Sequence, residues 1–360
     1  MVTTPREIPI FKSHLPKPEN WLRYLEKAYE TSKFSNFGEA SHDLEKRVAE
    51  FLGIESRKVV TCVNATLALS GAVATAEKNQ LSWTIPSWTF TATAAAMITA
   101  NKNFYFSDVD ENWRIDPIDK KVNLIDVLPF GDGIDISRLE NLCQGEIVID
   151  GAASFDALRF ANLNTIKRRY GLVISFHPTK FPPGPEGAVF ISNDEEWCEN
   201  FRSWTIFGMD EKRISYFPGT NAKLNEFSSA VILSSLDEYF PNREELLISS
   251  KKAMSLSQEC GFDVINSMRM GIASPYWLIK NTQKKIQEVE SFFAKELINT
   301  RRWWMYGCHT MQAYSSIVAS DLRMTIKASK CSIGLPMYLG MSEGDWVRIS
   351  NALRKIKSRT

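Results

Sequence analysis

Between residues 57 and 192, short runs rich in β-branched and aromatic residues alternate with helical stretches, and this alternation constrains the fold more than any other feature. "KVVTCV" (58–63), "LSWTIP" (81–86), "NFYFSDVD" (103–110), "VNLIDVLPF" (122–130), "EIVID" (146–150) and "LVISF" (172–176) read as strands. "TLALSGAVATAEK" (66–78), "FTATAAAMITAN" (90–101) and "DISRLENLCQ" (135–144) read as the helices between them. Such a pattern predicts an α/β architecture, a mostly parallel sheet covered by helices on both faces. Ahead of it, "SHDLEKRVAEFLG" places Leu44, Val48, Phe51 and Leu52 on one helical face and stops at Gly53. Beyond residue 220 the texture changes to the long helices "LNEFSSAVILSSLDEYF" and "REELLISSKKAMSLSQECG", then to shorter elements and the aromatic cluster "TRRWWMYGCH".

At 360 residues the chain exceeds one compact core. The expected division is a large domain, 1–245, and a smaller C-terminal α+β domain, 246–360. With 43 basic against 42 acidic residues there is no basic excess to attract nucleic acid. The start "MVTTPREIPIFKSHLPKPEN" has no secretory pattern, and no apolar run reaches the roughly 20 residues of a membrane span. Six scattered cysteines without Cys-x-x-Cys spacing predict free thiols in a cytoplasmic protein. Four histidines without paired spacing argue against zinc.

In parallel α/β sheets, ligands bind outside the carboxyl ends of the strands. Asp150 closes "EIVID", Ser175 closes "LVIS", and Asn64-Ala65-Thr66 lies between "KVVTCV" and a helix. Lys180 follows in "SFHPTKFPPGPEGAVF". Each has an ordinary alternative: a helix cap for the small turn and for Asp150, a solvated turn for Lys180. Neither a Walker loop nor Gly-x-Gly-x-x-Gly is present. One cofactor accounts for all of these residues together. Pyridoxal phosphate needs an amine for a Schiff base, a carboxylate at its ring nitrogen, an anion cradle and an aromatic plate.

Over nearly its whole length, from "FSNFGEASHDLEKRVAEFLG" to "IGLPMYLGMSEGDW", the sequence resembles the DegT/DnrJ/EryC1/StrS sugar aminotransferases. These are fold-type-I pyridoxal-phosphate enzymes that aminate nucleotide-linked keto sugars. The resemblance implies phosphate contacts from Thr66 and Leu67 in "NATLAL" and a ring-stacking plate at Phe90 in "PSWTFTAT". It assigns the ring-nitrogen carboxylate to Asp150 in "VIDGAASFDA", another phosphate contact to Ser175 and the Schiff-base lysine to Lys180. Asn221 in "GTNAKLNEFSSA" is expected to reach the phosphate of a neighbouring subunit, which implies a homodimer with shared sites.

Departures from the family pattern are Asn64 and Ala65 in the phosphate turn, Ala153 in place of glutamine or histidine, and Lys223 in place of arginine. Pro185 and Ala188 also depart, flanking Glu186-Gly187 where the family has Gly-Glu-Gly-Gly. Lys180 stands where dehydratase relatives have histidine, which favours transamination. The resemblance implies L-glutamate as donor and a cycle through pyridoxamine phosphate. "SNFGE", "FDA", "NAKLNEFSSA" and "TRRWWMYGCH" look like members that act at C4 of dTDP-4-keto-6-deoxyglucose for surface polysaccharide. A C3 aminotransferase and a silent binding homologue are the alternatives. His309 and the Trp303–Trp304 pair are either sugar or nucleotide contacts or simply core.

Overall fold

The computed structural model describes residues 6–76 and 79–357. Seven strands form the main sheet: β1 (Val59–Cys62), β2 (Trp83–Pro86), β3 (Phe104–Ser107), β4 (Asn123–Val127), β5 (Ile147–Asp150), β6 (Gly171–Ser175) and β7 (Ala188–Ser192). Their order is β1-β7-β6-β5-β4-β2-β3. All residues of six of these strands are buried, β3 being the partly exposed edge, as expected of a sheet covered on both faces. The expected helices are present at Ala65–Ala76, Thr91–Thr99 and Ile136–Asn141. The end of the expected helix 66–78, at 77–78, and residues 1–5 of the expected leaderless start lie outside the described residues.

One strand departs from the parallel pattern. β7 runs antiparallel to both β6 and β1. Only residues 176–187 separate β6 from β7, and that segment turns back on itself, with Phe176 N–H bonded to Gly187 O at 2.8 Å. A parallel return needs a crossover, usually a helix, and this segment contains none.

A second sheet, of order β10-β9-β8, is built from β8 (Asp263–Val264), β9 (Trp277–Lys280) and β10 (Ser332–Leu335), all antiparallel. The helices Gln283–Lys295 and Glu343–Lys357 cover it, burying Ile286, Val289 and Phe293 with Ile349, Leu353 and Ile356. The helix Tyr239–Glu259 serves both cores: Leu246 packs with the first sheet, and Ala253 and Leu256 pack with the second. The expected division near residue 245 falls within this helix. The segment around Ile8 crosses back, its N–H bonded to Leu297 O at 2.9 Å and its side chain in the second core. Among the described residues no helix is long and apolar enough to cross a membrane.

The helix Glu39–Leu52 is fixed at its start by a carboxylate from another element. Glu226, fully buried, accepts from Ala40 N–H at 2.6 Å and from Ser41 Oγ at 2.6 Å. A negative charge here satisfies free N–H groups and meets the positive end of the helix dipole. Gly38 leaves the room: a Cβ there would stand 2.6 Å from the Glu226 carboxyl carbon. Since Glu226 opens the helix Glu226–Asp237 just after Asn221, the clasp also anchors the segment that carries Asn221. Glu226→Ala leaves these buried donors unmet and is expected to cost about 3 kcal/mol. Urea unfolding followed by circular dichroism measures this.

Candidate active site

The register of the main sheet gathers the chemical residues on one edge. Cys62 lies opposite Ala188, and Ala188 opposite Ser175, so the turn after β1 and the end of β6 share a level. Asp150 lies opposite Val173, two residues before Ser175. From β5 to β1 is three strand steps of about 4.8 Å, a mouth roughly 14 Å wide.

Asp150 is 7% exposed. Its Oδ2 accepts from Thr93 Oγ1 at 2.8 Å and its Oδ1 from Ala152 N–H at 3.2 Å. Burial pushes the carboxyl above its usual range, against the downward pull of these two bonds and of the Lys180 charge. Among the described residues no ion pair to Asp150 is formed, and the Lys180 charge acts on it without direct contact. Thr93 lies on the helix Thr91–Thr99, whose N-cap is Phe90. Its bond to Asp150 therefore seats the start of that helix over the sheet edge. The Phe90 ring is 59% exposed.

Lys180 sits in the turn after β6, its N–H bonded to His177 O at 2.8 Å. Its Nζ donates to Tyr276 Oη at 2.8 Å. Ser175, 4% exposed, accepts from His177 N–H through its Oγ at 3.2 Å. At the helix Ala65–Ala76, Asn64 Oδ1 accepts from Leu67 N–H at 2.9 Å, so this amide, expected to face a phosphate, is engaged by a side chain. Thr66 stands beside it in the first turn. Ala222 O accepts from Val63 N–H at 2.8 Å, tying the Asn221 segment to the end of β1. Asn221 itself is exposed, and its Oδ1 accepts from Lys223 Nζ.

The sheet edge thus unites Asp150 and Lys180 electrostatically, with Ser175 and Thr66 along the same rim, while Phe90 and Asn221 face outward. Sequence reading passed over Thr93 and Tyr276. Thr93 had a usable signal, standing one helical turn beyond Phe90 in "PSWTFTAT". Tyr276 had none, being 96 residues from its partner. His309 shares a hydrogen bond with Ser87 Oγ through Nδ1 at 2.7 Å, and burial lowers its pKa. Trp303 and Trp304 pack on Phe130.

The sequence profile of the DegT/DnrJ/EryC1/StrS aminotransferase family matches residues 17–354. The dTDP-4-amino-4,6-dideoxy-D-glucose transaminase of Shigella dysenteriae is 25% identical over 381 residues, covering 98% of this chain and 100% of the relative. Among solved structures, DesI in the presence of its TDP-sugar product superposes with a TM-score of 0.83 at 21% identity, covering 99% of this chain and 94% of that one. PseC of Helicobacter pylori, an aminotransferase involved in the biosynthesis of pseudoaminic acid, gives a TM-score of 0.83 at 20% identity, covering 99% and 100%. The chain belongs to the DegT/DnrJ/EryC1/StrS aminotransferase family, enzymes that work with pyridoxal phosphate.

Proposed function

We propose that this aminotransferase moves the amino group of L-glutamate to a nucleotide-linked keto sugar in the cytoplasm. The preferred substrate is dTDP-4-keto-6-deoxy-D-glucose, giving dTDP-4-amino-4,6-dideoxy-D-glucose for surface polysaccharide. The observation that carries the reading is a buried Asp150 that feels the charge of the Lys180 amine at one sheet edge. The donor set suits the cofactor. A carboxylate without a contact ion pair suits a protonated ring nitrogen, and a hydroxyl and a helix start suit a phosphate. When bound, pyridoxal phosphate supplies an aldehyde that captures amines and a ring that accepts electrons. The resemblance to the Shigella enzyme along the full length of both chains supports the C4 sugar.

Asp150 would hold the proton on the ring nitrogen, and Thr93 keeps its carboxylate aimed. Lys180 would take the proton from the carbon bearing the amino group and return it on the acceptor side. Thr66, Leu67 and Ser175 would hold the phosphate, Leu67 N–H exchanging Asn64 for it. Phe90 would cover the ring face. Asn221 would complete the phosphate site of a partner subunit. Exposed apolar residues on its approach, Phe207, Ile214 and Tyr216, support such an interface.

NMR of the product formed from glutamate and a panel of keto sugars tests the substrate. An equatorial or axial amine at C4 of the dTDP sugar is the expected result; amination only at C3 overturns it. Asp150→Asn carries a second, opposite pair of effects. Turnover should fall at least about 100-fold. Burial raises the folded-state pKa of Asp150, so the folded state keeps its proton longer, and stability of the cofactor-free protein falls as pH rises from the ordinary carboxylate value through the raised one. The variant is free of this loss. Its urea midpoint should exceed that of the native cofactor-free protein at pH 7, and the gap should close near pH 3. For the shared site, Lys180→Ala and an Asn221 replacement that abolishes cofactor binding are each inactive. Mixed with verified exchange, they place both defects in one site of a heterodimer and neither in the other. About half the dimers are then mixed, and roughly a quarter of all sites regain activity. Continued silence of the mixture would place Asn221 in its own chain's site.

A further inference from the structure

Lys180 is hydrogen-bonded across the two cores. Its partner Tyr276 leads into β9 of the second sheet and is 6% exposed. The Lys180 Nζ lies 2.8 Å from the phenol oxygen and 5.4 Å from the ring centroid. The ring is boxed edge-on by Phe130 at 5.6 Å and by Trp303 at 5.3 Å. Phe130 in turn stacks on Trp304 at 4.3 Å. These contacts fix the plane of the phenol and leave its oxygen as the polar end of an aromatic wall. The wall itself is held under tension. Trp304 and Met305 have φ of +58° and +51°, a left-handed conformation that non-glycine residues keep only where packing imposes it.

A lysine carries its amine on a flexible four-carbon stem. In a transaminase that amine is bonded to the cofactor for part of the cycle. For the rest it must act on two different substrates, so it needs a fixed place to stand while free. We propose that Tyr276 is the positioning residue of Lys180, its phenol oxygen being where the amine rests whenever it is not bonded to the cofactor. This rests on the aminotransferase reading given above. Freed from the cofactor, the amine swings to Tyr276 rather than to water, staying within electrostatic reach of Asp150. The second domain thereby takes part in placing the base, although the base belongs to the first.

Tyr276→Phe keeps the ring and its contacts with Phe130 and Trp303 and removes only the oxygen. The test uses the enzyme loaded with pyridoxamine phosphate, in which Lys180 carries no bond to the cofactor. Pulses of acetic anhydride across a pH series, followed by peptide mass spectrometry, give the labelling rate at residue 180. The hydrogen bond to the phenol oxygen holds the amine in place and shields it from the reagent. In Tyr276→Phe labelling at residue 180 is therefore faster across the series, by about threefold or more. The other groups that feel the Lys180 charge, Asp150 and His177, with Glu186 facing His177, are the same in both proteins. In turnover, kcat falls about 10- to 100-fold while KM for the keto sugar stays within about threefold. A labelling profile at residue 180 that coincides in native and variant enzyme overturns the proposal, whatever the kinetics. The labelling arm needs no sugar, so failure of every keto sugar would remove the substrate assignment and leave the Tyr276 result to stand on its own reading.

Discussion

A carboxylate buried at the end of a strand without a contact ion pair is costly for folding alone, because the charged form has lost its water. Asp150 is such a group, and neighbouring structure is arranged around it. Thr93 and Ala152 supply the two hydrogen bonds that keep its ionised form tolerable. To deliver Thr93, the helix Thr91–Thr99 must dock with its first turn on the sheet edge, and that in turn fixes Phe90 at the rim. The Lys180 charge adds a further downward pull on the acid. The remaining mismatch is the kind a protein keeps for a bound cation, at some expense in stability of the empty fold.

Much of this edge could be read from the chain because a polar residue closing an apolar run marks a strand end. Asp150 and Ser175 stand out for that reason, whereas the lysine after "SFHPT" is singled out by the resemblance to the family's Ser-Phe-x-x-x-Lys. The direction of β7 could not be read in the same way. An apolar run carries no arrow, and its direction depends on whether the connection crosses the sheet or turns back. Side-chain competition was also invisible: "NATLAL" places an amide at a helix start but does not show that Asn64 already bonds it. Tyr276 was hidden for a different reason. "SPYWLIK" reads as core, and most of it is core; the one polar atom at its edge gains meaning only through a partner 96 residues away.

The aromatic stretch near residue 300 shows how far composition goes. Trp303 and Trp304 are partly buried and pack against the second core. They pack on Phe130, and Trp303 meets Tyr276. Their effect on the chemistry is carried by the phenol they brace. His309 has a comparable supporting place, bonded to Ser87 at the end of β2 and kept largely neutral by burial.

The helix Tyr239–Glu259 lends one end to each core, with Leu246 on one side and Ala253 and Leu256 on the other. Ile8, from the start of the chain, is sewn into the core made by its end. The two parts are consequently not cassettes. A lineage seeking a new sugar cannot exchange the small sheet wholesale, since the graft would bring a foreign half-helix into the first core and leave Ile8 without a seat. New specificity in such a scaffold has to arrive by point changes around the site, with the frame inherited whole.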